Sequence, residues 1–141
     1  MTLIDFDRYP IDQPGTPAYA ELVARCQKDL AKDGMFNLEG FMLDMGDVVA
    51  ELLPKFASES FTHSRSHNIY FKKHVEGLPD DSPVLAQVQT TNHTLCADQL
   101  GQNALIQIYE HPAVVRFIAD VTGKEALYTM PDPLARLNVM Q

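Results

Sequence analysis

Apolar residues recur at helical spacing in the first third of the chain and again near residues 102–123, with shorter apolar or β-branched runs between and after them. Thr16-Pro17 sets the start of the first helix: Thr16 is the N-cap and Pro17 stands in the first turn, where its missing N–H costs nothing. Tyr19, Leu22, Val23, Cys26 and Leu30 then share one face, Glu21, Arg25, Lys28, Asp29 and Lys32 take the other, and Gly34 closes the helix. A second helix, capped by Asp44, directs Met45, Val48, Val49, Leu52 and Leu53 inward; Pro54 is expected to end or kink it, leaving residues 55–60 as a frayed turn. Residues 102–110 read as a short helix, and His111-Pro112 opens another that buries Val114, Val115, Ile118 and Val121 before Gly123.

Strands are expected at 35–38, 68–71, 88–95, 127–130 and 135–140. Residues 61–67, FTHSRSH, read as a polar lead-in to the second of these, and residues 72–83 carry the Gly, Pro and Asp of a loop. Pro10 and Pro14 make residues 1–15 an extended acidic arm laid over the domain. The sum is one α+β domain, 1–141, with early helices packed on a mostly antiparallel sheet. The last strand puts Arg136, Asn138 and Met140 on one face and Leu137, Val139 and Gln141 on the other. The chain stops inside that strand, so the domain reads as unfinished.

Composition narrows the function classes. The 141 residues are 45% hydrophobic and 21% charged, which rules out wholesale disorder. No run approaches a membrane span and the N-terminus lacks the layout of a signal peptide. A net charge of −8 repels phosphate backbones, so neither nucleic acid nor membrane is an expected partner. Two distant cysteines, Cys26 and Cys96, suit a reducing cytoplasm.

P-loop, GxGxxG, GxSxG and paired-cysteine motifs are absent. The chemical resource is five histidines and their neighbours. On a helix His63 and His67 would share a face and could hold a metal, but Ser64, Arg65 and Ser66 do not favour one, and His74-Val75-Glu76 has the His-x-acid form of a facial iron triad without a strand to hold it. No metal site or catalytic residue is assigned. Arg65 stands between the two histidines and offers a guanidinium fork for a substrate carboxylate, or for a surface acid. Asp132, between two prolines, meets a substrate amine or caps a turn.

The segments RYPIDQPGTPAYAELVARCQKDLAKDG, SHNIYF and PDPLARLNVMQ together resemble the amino-terminal part of an iron(II)/2-oxoglutarate-dependent oxygenase, of the branch that hydroxylates or halogenates free amino acids. The resemblance spans about Arg8 to Gln141. It implies the start of a double-stranded β-helix (jelly roll), with Arg65, His67, Asn68 and Asp132 toward the substrate and Asn138 toward the 2-oxoglutarate cofactor. The family's His-x-Asp or His-x-Gly, distal His and 2-oxoglutarate Arg do not occur after LARLNVMQ here. No cofactor is therefore expected in this chain, although the family uses iron(II) and 2-oxoglutarate on a small-molecule substrate, and the chain alone is expected to be inactive. The alternative is a stand-alone, non-catalytic binding protein that covers its C-terminal strand by forming a homodimer.

Overall fold

The computed structural model describes residues 3–141. The described residues form five helices and a three-stranded antiparallel sheet: α1 Pro17–Asp33, α2 Met45–Glu59, β1 Phe61–His67, β2 Val88–Cys96, α3 Ala97–Leu100, α4 Ala104–Tyr109, α5 Pro112–Thr122 and β3 Asn138–Met140. α2 packs toward the sheet and α1 packs on α5 instead, contrary to the expectation that the early helices lie on the sheet. The strand order is β1-β2-β3. β1 pairs with β2 from Phe61↔Thr94 to His67↔Val88 without a bulge, and β3 pairs only with Thr94, Leu95 and Cys96.

The apolar surface is divided between two cores. In the first, α1 brings Tyr19, Leu22 and Cys26 against Phe117 and Val121 of α5. Ile4, Tyr9 and Ile11 complete it, so the amino-terminal segment is part of the core and not an arm laid over it. It runs in turns tied to residues 41–43 by backbone bonds, with Tyr9 Oη donating to the Glu39 carbonyl at 2.7 Å. In the second core, Val48 and Leu52 of α2 pack on Leu95, Ala97, Leu100 and Ile106.

The cap signals of α1 hold: Thr16 Oγ1 accepts from the Tyr19 N–H at 3.2 Å, and Gly34 takes the left-handed turn. Those of α2 do not. Asp44 stands at the N-cap with φ 55°, and its side chain caps no helix N–H. The side chain of an N-cap reaches the N2 or N3 amide from extended backbone, which Asp44 does not have. Pro54 neither ends nor frays the helix, which continues to Glu59 because Leu52 before it and Phe56 after it pack against the second core. Met45, Val49 and Leu53 are exposed, so only a narrow stripe of this helix is covered.

Three expected strands are missing. Residues 35–38 are irregular, with Phe36 packed edge-on to Phe117, and residues 127–130 form no ladder and leave Tyr128 in solvent. Residues 68–71 make a turn, and FTHSRSH before them is the strand. The last strand is shorter than its alternation suggests because Asp132 Oδ1 accepts from the N–H groups of Leu134 and Ala135, winding that stretch into a turn.

Tyr19 Oη donates to the Asp120 carboxylate across the α1–α5 interface, joining residues 101 apart. Burial first, and then this bond, push the Tyr19 pKa from 10.0 up to about 12. Asp120 is held below the usual carboxylate range by the same bond, assisted by Arg116 and opposed by its own burial. A raised tyrosine pKa means its stabilisation is whole below pH 10 and is lost as pH climbs through 12. The Asp120 contribution has the opposite sense, present above the unfolded carboxylate pKa and lost on acidification. Tyr19→Phe is expected to flatten the alkaline fall in stability and to remove one late-ionising tyrosine from an absorbance titration. An unchanged titration curve would assign that ionisation elsewhere.

Candidate functional site

β1 is exposed along six of its seven residues, and its pleat places His63, Arg65 and His67 on one face with Asn92, Thr90 and Val88 of β2. Phe71 folds back onto this face. Its ring stacks on His67 at 4.5 Å with planes 10° apart, and the Arg65 guanidinium lies 4.9 Å from its centroid. The exposed cation–π contact contributes about 0.5–1 kcal/mol and holds the guanidinium near the sheet. Arg65 makes no ion pair among the described residues.

Asn68 makes this arrangement possible. It is 2% exposed, and its side chain spans the turn. Oδ1 accepts from the N–H of Tyr70 and of Lys72, while Nδ2 donates to the carbonyls of Lys72 and Leu85. Its four bonds leave no capacity for a ligand, so Asn68 is a positioning residue. Phe71 has φ 54°, a strained value for a bulky side chain, and the Asn68 bonds on either side hold it there. His67 is similarly engaged, with Nε2 at 3.2 Å from Thr90 Oγ1 and Nδ1 at 3.1 Å from the Asn68 carbonyl. Arg65 is the member of this group with donors to spare.

Asn68→Ala removes all four side-chain bonds across the turn, leaving the Tyr70 and Lys72 N–H groups and the Lys72 carbonyl without that partner while Gln87 Nε2 still reaches the Leu85 carbonyl, and is expected to cost about 1–3 kcal/mol. Denaturant unfolding measures the loss, and amide exchange should rise across residues 68–72. If exchange there is unchanged, the turn is held by something else.

The other predicted residues lie elsewhere. Thr90, opposite Arg65, and Cys96, opposite Asn138, are six positions apart on β2, or about 20 Å along the strand. Arg65 and Asn138 therefore do not share a cavity. Asp132 is occupied as a turn cap, the outcome its flanking prolines allow. With its amide oxygen and nitrogen exchanged, Asn138 donates to the carbonyls of Leu137 and Leu134. Arg136 precedes the strand instead of lying on it, and its guanidinium pairs with Glu110.

Metal ligation fails on geometry. His63 and His67 are about 13 Å apart along a strand. His74 Nδ1 lies 2.7 Å from Asp80 Oδ1 in the loop beyond. Among the described residues no three His, Cys, Asp or Glu side chains gather as a metal site. Burial raises the Cys26 pKa against the lowering effect of Arg25, which makes it a packed thiol and a poor nucleophile.

Phe71 and Thr90 are the site residues that sequence reading missed. The available signal was Arg-x-His, which shares a face only on a strand, together with an Asn that opens a turn ending in an aromatic. Comparison of the chain with protein-family models, with curated proteins and with solved structures finds no match in any of the three.

Proposed function

We propose that this chain is the amino-terminal region of an iron(II)/2-oxoglutarate-dependent oxygenase acting on a small molecule such as an amino acid. Its part is to brace the sheet and supply a substrate wall, and it has no catalytic activity by itself. The observation that supports the reading is Arg65: a guanidinium free of carboxylate partners, held over the Phe71 ring on an open antiparallel sheet. A planar fork in that position takes a carboxylate through two parallel hydrogen bonds. Iron(II) and 2-oxoglutarate supply the oxidising chemistry in that family.

The test combines turnover with binding. The chain, given iron(II), 2-oxoglutarate and a panel of free amino acids, is expected to release no succinate. The amino acids should nevertheless shift the NMR signals of Arg65 and Phe71, and Arg65→Lys should weaken those shifts. Succinate release would overturn the non-catalytic assignment, and shifts indifferent to Arg65→Lys would move the substrate wall.

A second reading has its own observation. Val49, Leu52, Leu53 and Phe56 of α2 border an apolar groove with Val139 and Met140, beside the unpaired edge of β3. A stand-alone binding protein would cover this edge by homodimerisation. Sedimentation across a concentration series separates the two readings.

A further inference from the structure

We infer that the outer edge of β1 is a docking site for an extended acidic peptide, which adds to the sheet as a fourth strand. This does not rest on the oxygenase reading, although Arg65 enters both: the strand edge binds a peptide backbone, and N-methylation of the peptide tests that edge apart from the Arg65 guanidinium.

Two independent observations meet here. The first is the edge itself. β1 is the end strand of the sheet, seven residues long, paired on one side only, and exposed on both faces for nearly all its length. Long edge strands are ordinarily blunted by proline, by a bulge or by several charges. β1 contains no proline, runs in unbroken register with β2, and has one formal charge. Its unpaired N–H and C=O groups therefore form a regular ladder open to another backbone.

The second observation is the charge. The chain carries 19 carboxylates and a net charge of −8, yet residues 60–75 contain none. β2 and β3 contain none either. Arg65 lies on β1, and Lys72 and Lys73 follow Phe71, which the turn returns to Arg65 and His67. Carboxylates resume only at Glu76, and Asp80 beyond it faces His74. From Glu59 to Glu76 the chain, with the open edge in it, thus carries Arg65, Lys72 and Lys73 and no carboxylate between, a cationic stretch on an acidic protein. A second copy pairing β1 to β1 would bring two such stretches together, whereas an acidic strand is attracted. Ile69, Tyr70 and Phe71, all exposed in the turn that follows β1, offer apolar surface near the end of the edge.

The probe is a fluorescein-labelled peptide of alternating glutamate and valine, matched in length to β1 and titrated against the full chain. Binding is expected to protect the amides of residues 61–67 from exchange and to weaken with salt. Arg65→Glu, an exposed change that leaves both cores alone, should weaken it by at least about tenfold. N-methylation of one alternate set of peptide amides should abolish binding, while methylation of the other set should not. Equal binding of the lysine-for-glutamate peptide would overturn the proposal, as would binding that ignores both methylation sets. Comparable binding of poly-dT would make the stretch a general polyanion surface, and β1-mediated self-association in sedimentation would assign the edge to a second copy. Either result overturns it too.

Discussion

Phe117→Ala is expected to lower the stability of the chain by about 3–5 kcal/mol, the largest effect of any single truncation proposed. Phe117 is 1% exposed and stands where the first core is tied together. Its ring meets Tyr19 at 6.2 Å and Phe36 at 6.3 Å, both nearly edge-on. Removing it takes away the transfer free energy of the ring, two aromatic contacts and the filling of a space enclosed by rigid helices. Phe117→Leu keeps most of the volume and is expected to cost much less. Denaturant midpoints for the two variants check this. Similar small losses for both would mean that α1 and α5 can close over the gap.

Pro54→Ala is expected to act in the other direction. Proline inside a helix removes one main-chain bond and presses its ring on the preceding turn, at about 3 kcal/mol relative to alanine. Pro54 lies inside α2, exposed, with no core contact to lose on replacement. Alanine restores the donor to the carbonyl of Ala50, one turn earlier. A gain of about 1–3 kcal/mol is expected, seen as a higher melting temperature with an unchanged denaturant slope. No gain would indicate that the helix already accommodates Pro54 without cost.

Much of the fold was legible because its helices carry explicit punctuation. Thr16, Pro17 and Gly34 bound α1, and His111, Pro112 and Gly123 bound α5, each by a local physical requirement that tertiary context does not override. The sheet was harder. Alternation reveals a strand only when one face is buried, and β1 buries neither, so FTHSRSH looked like a loop and the apolar Ile69-Tyr70-Phe71 after it looked like a strand. Asn68 reversed that assignment: its four side-chain bonds specify a turn that hydrophobicity alone does not reveal. The candidate site suffered from the same error. Arg65 and His67 were named from the sequence, but Phe71 and Thr90 join them only when β1 is a strand.

The first core also sets a schedule for synthesis. Ile4, Tyr9 and Ile11 are buried against Phe117 and Val121, from the far end of the chain. At about 5–20 residues per second, the amino-terminal segment leaves the ribosome roughly 5–20 s before α5 exists to receive it. Throughout that interval these side chains can meet the inner stripe of α1 and residues 36–41, but the face of the core that Phe117 and Val121 cover stays open. The first core therefore closes only after α5 has emerged, late in the synthesis of these residues.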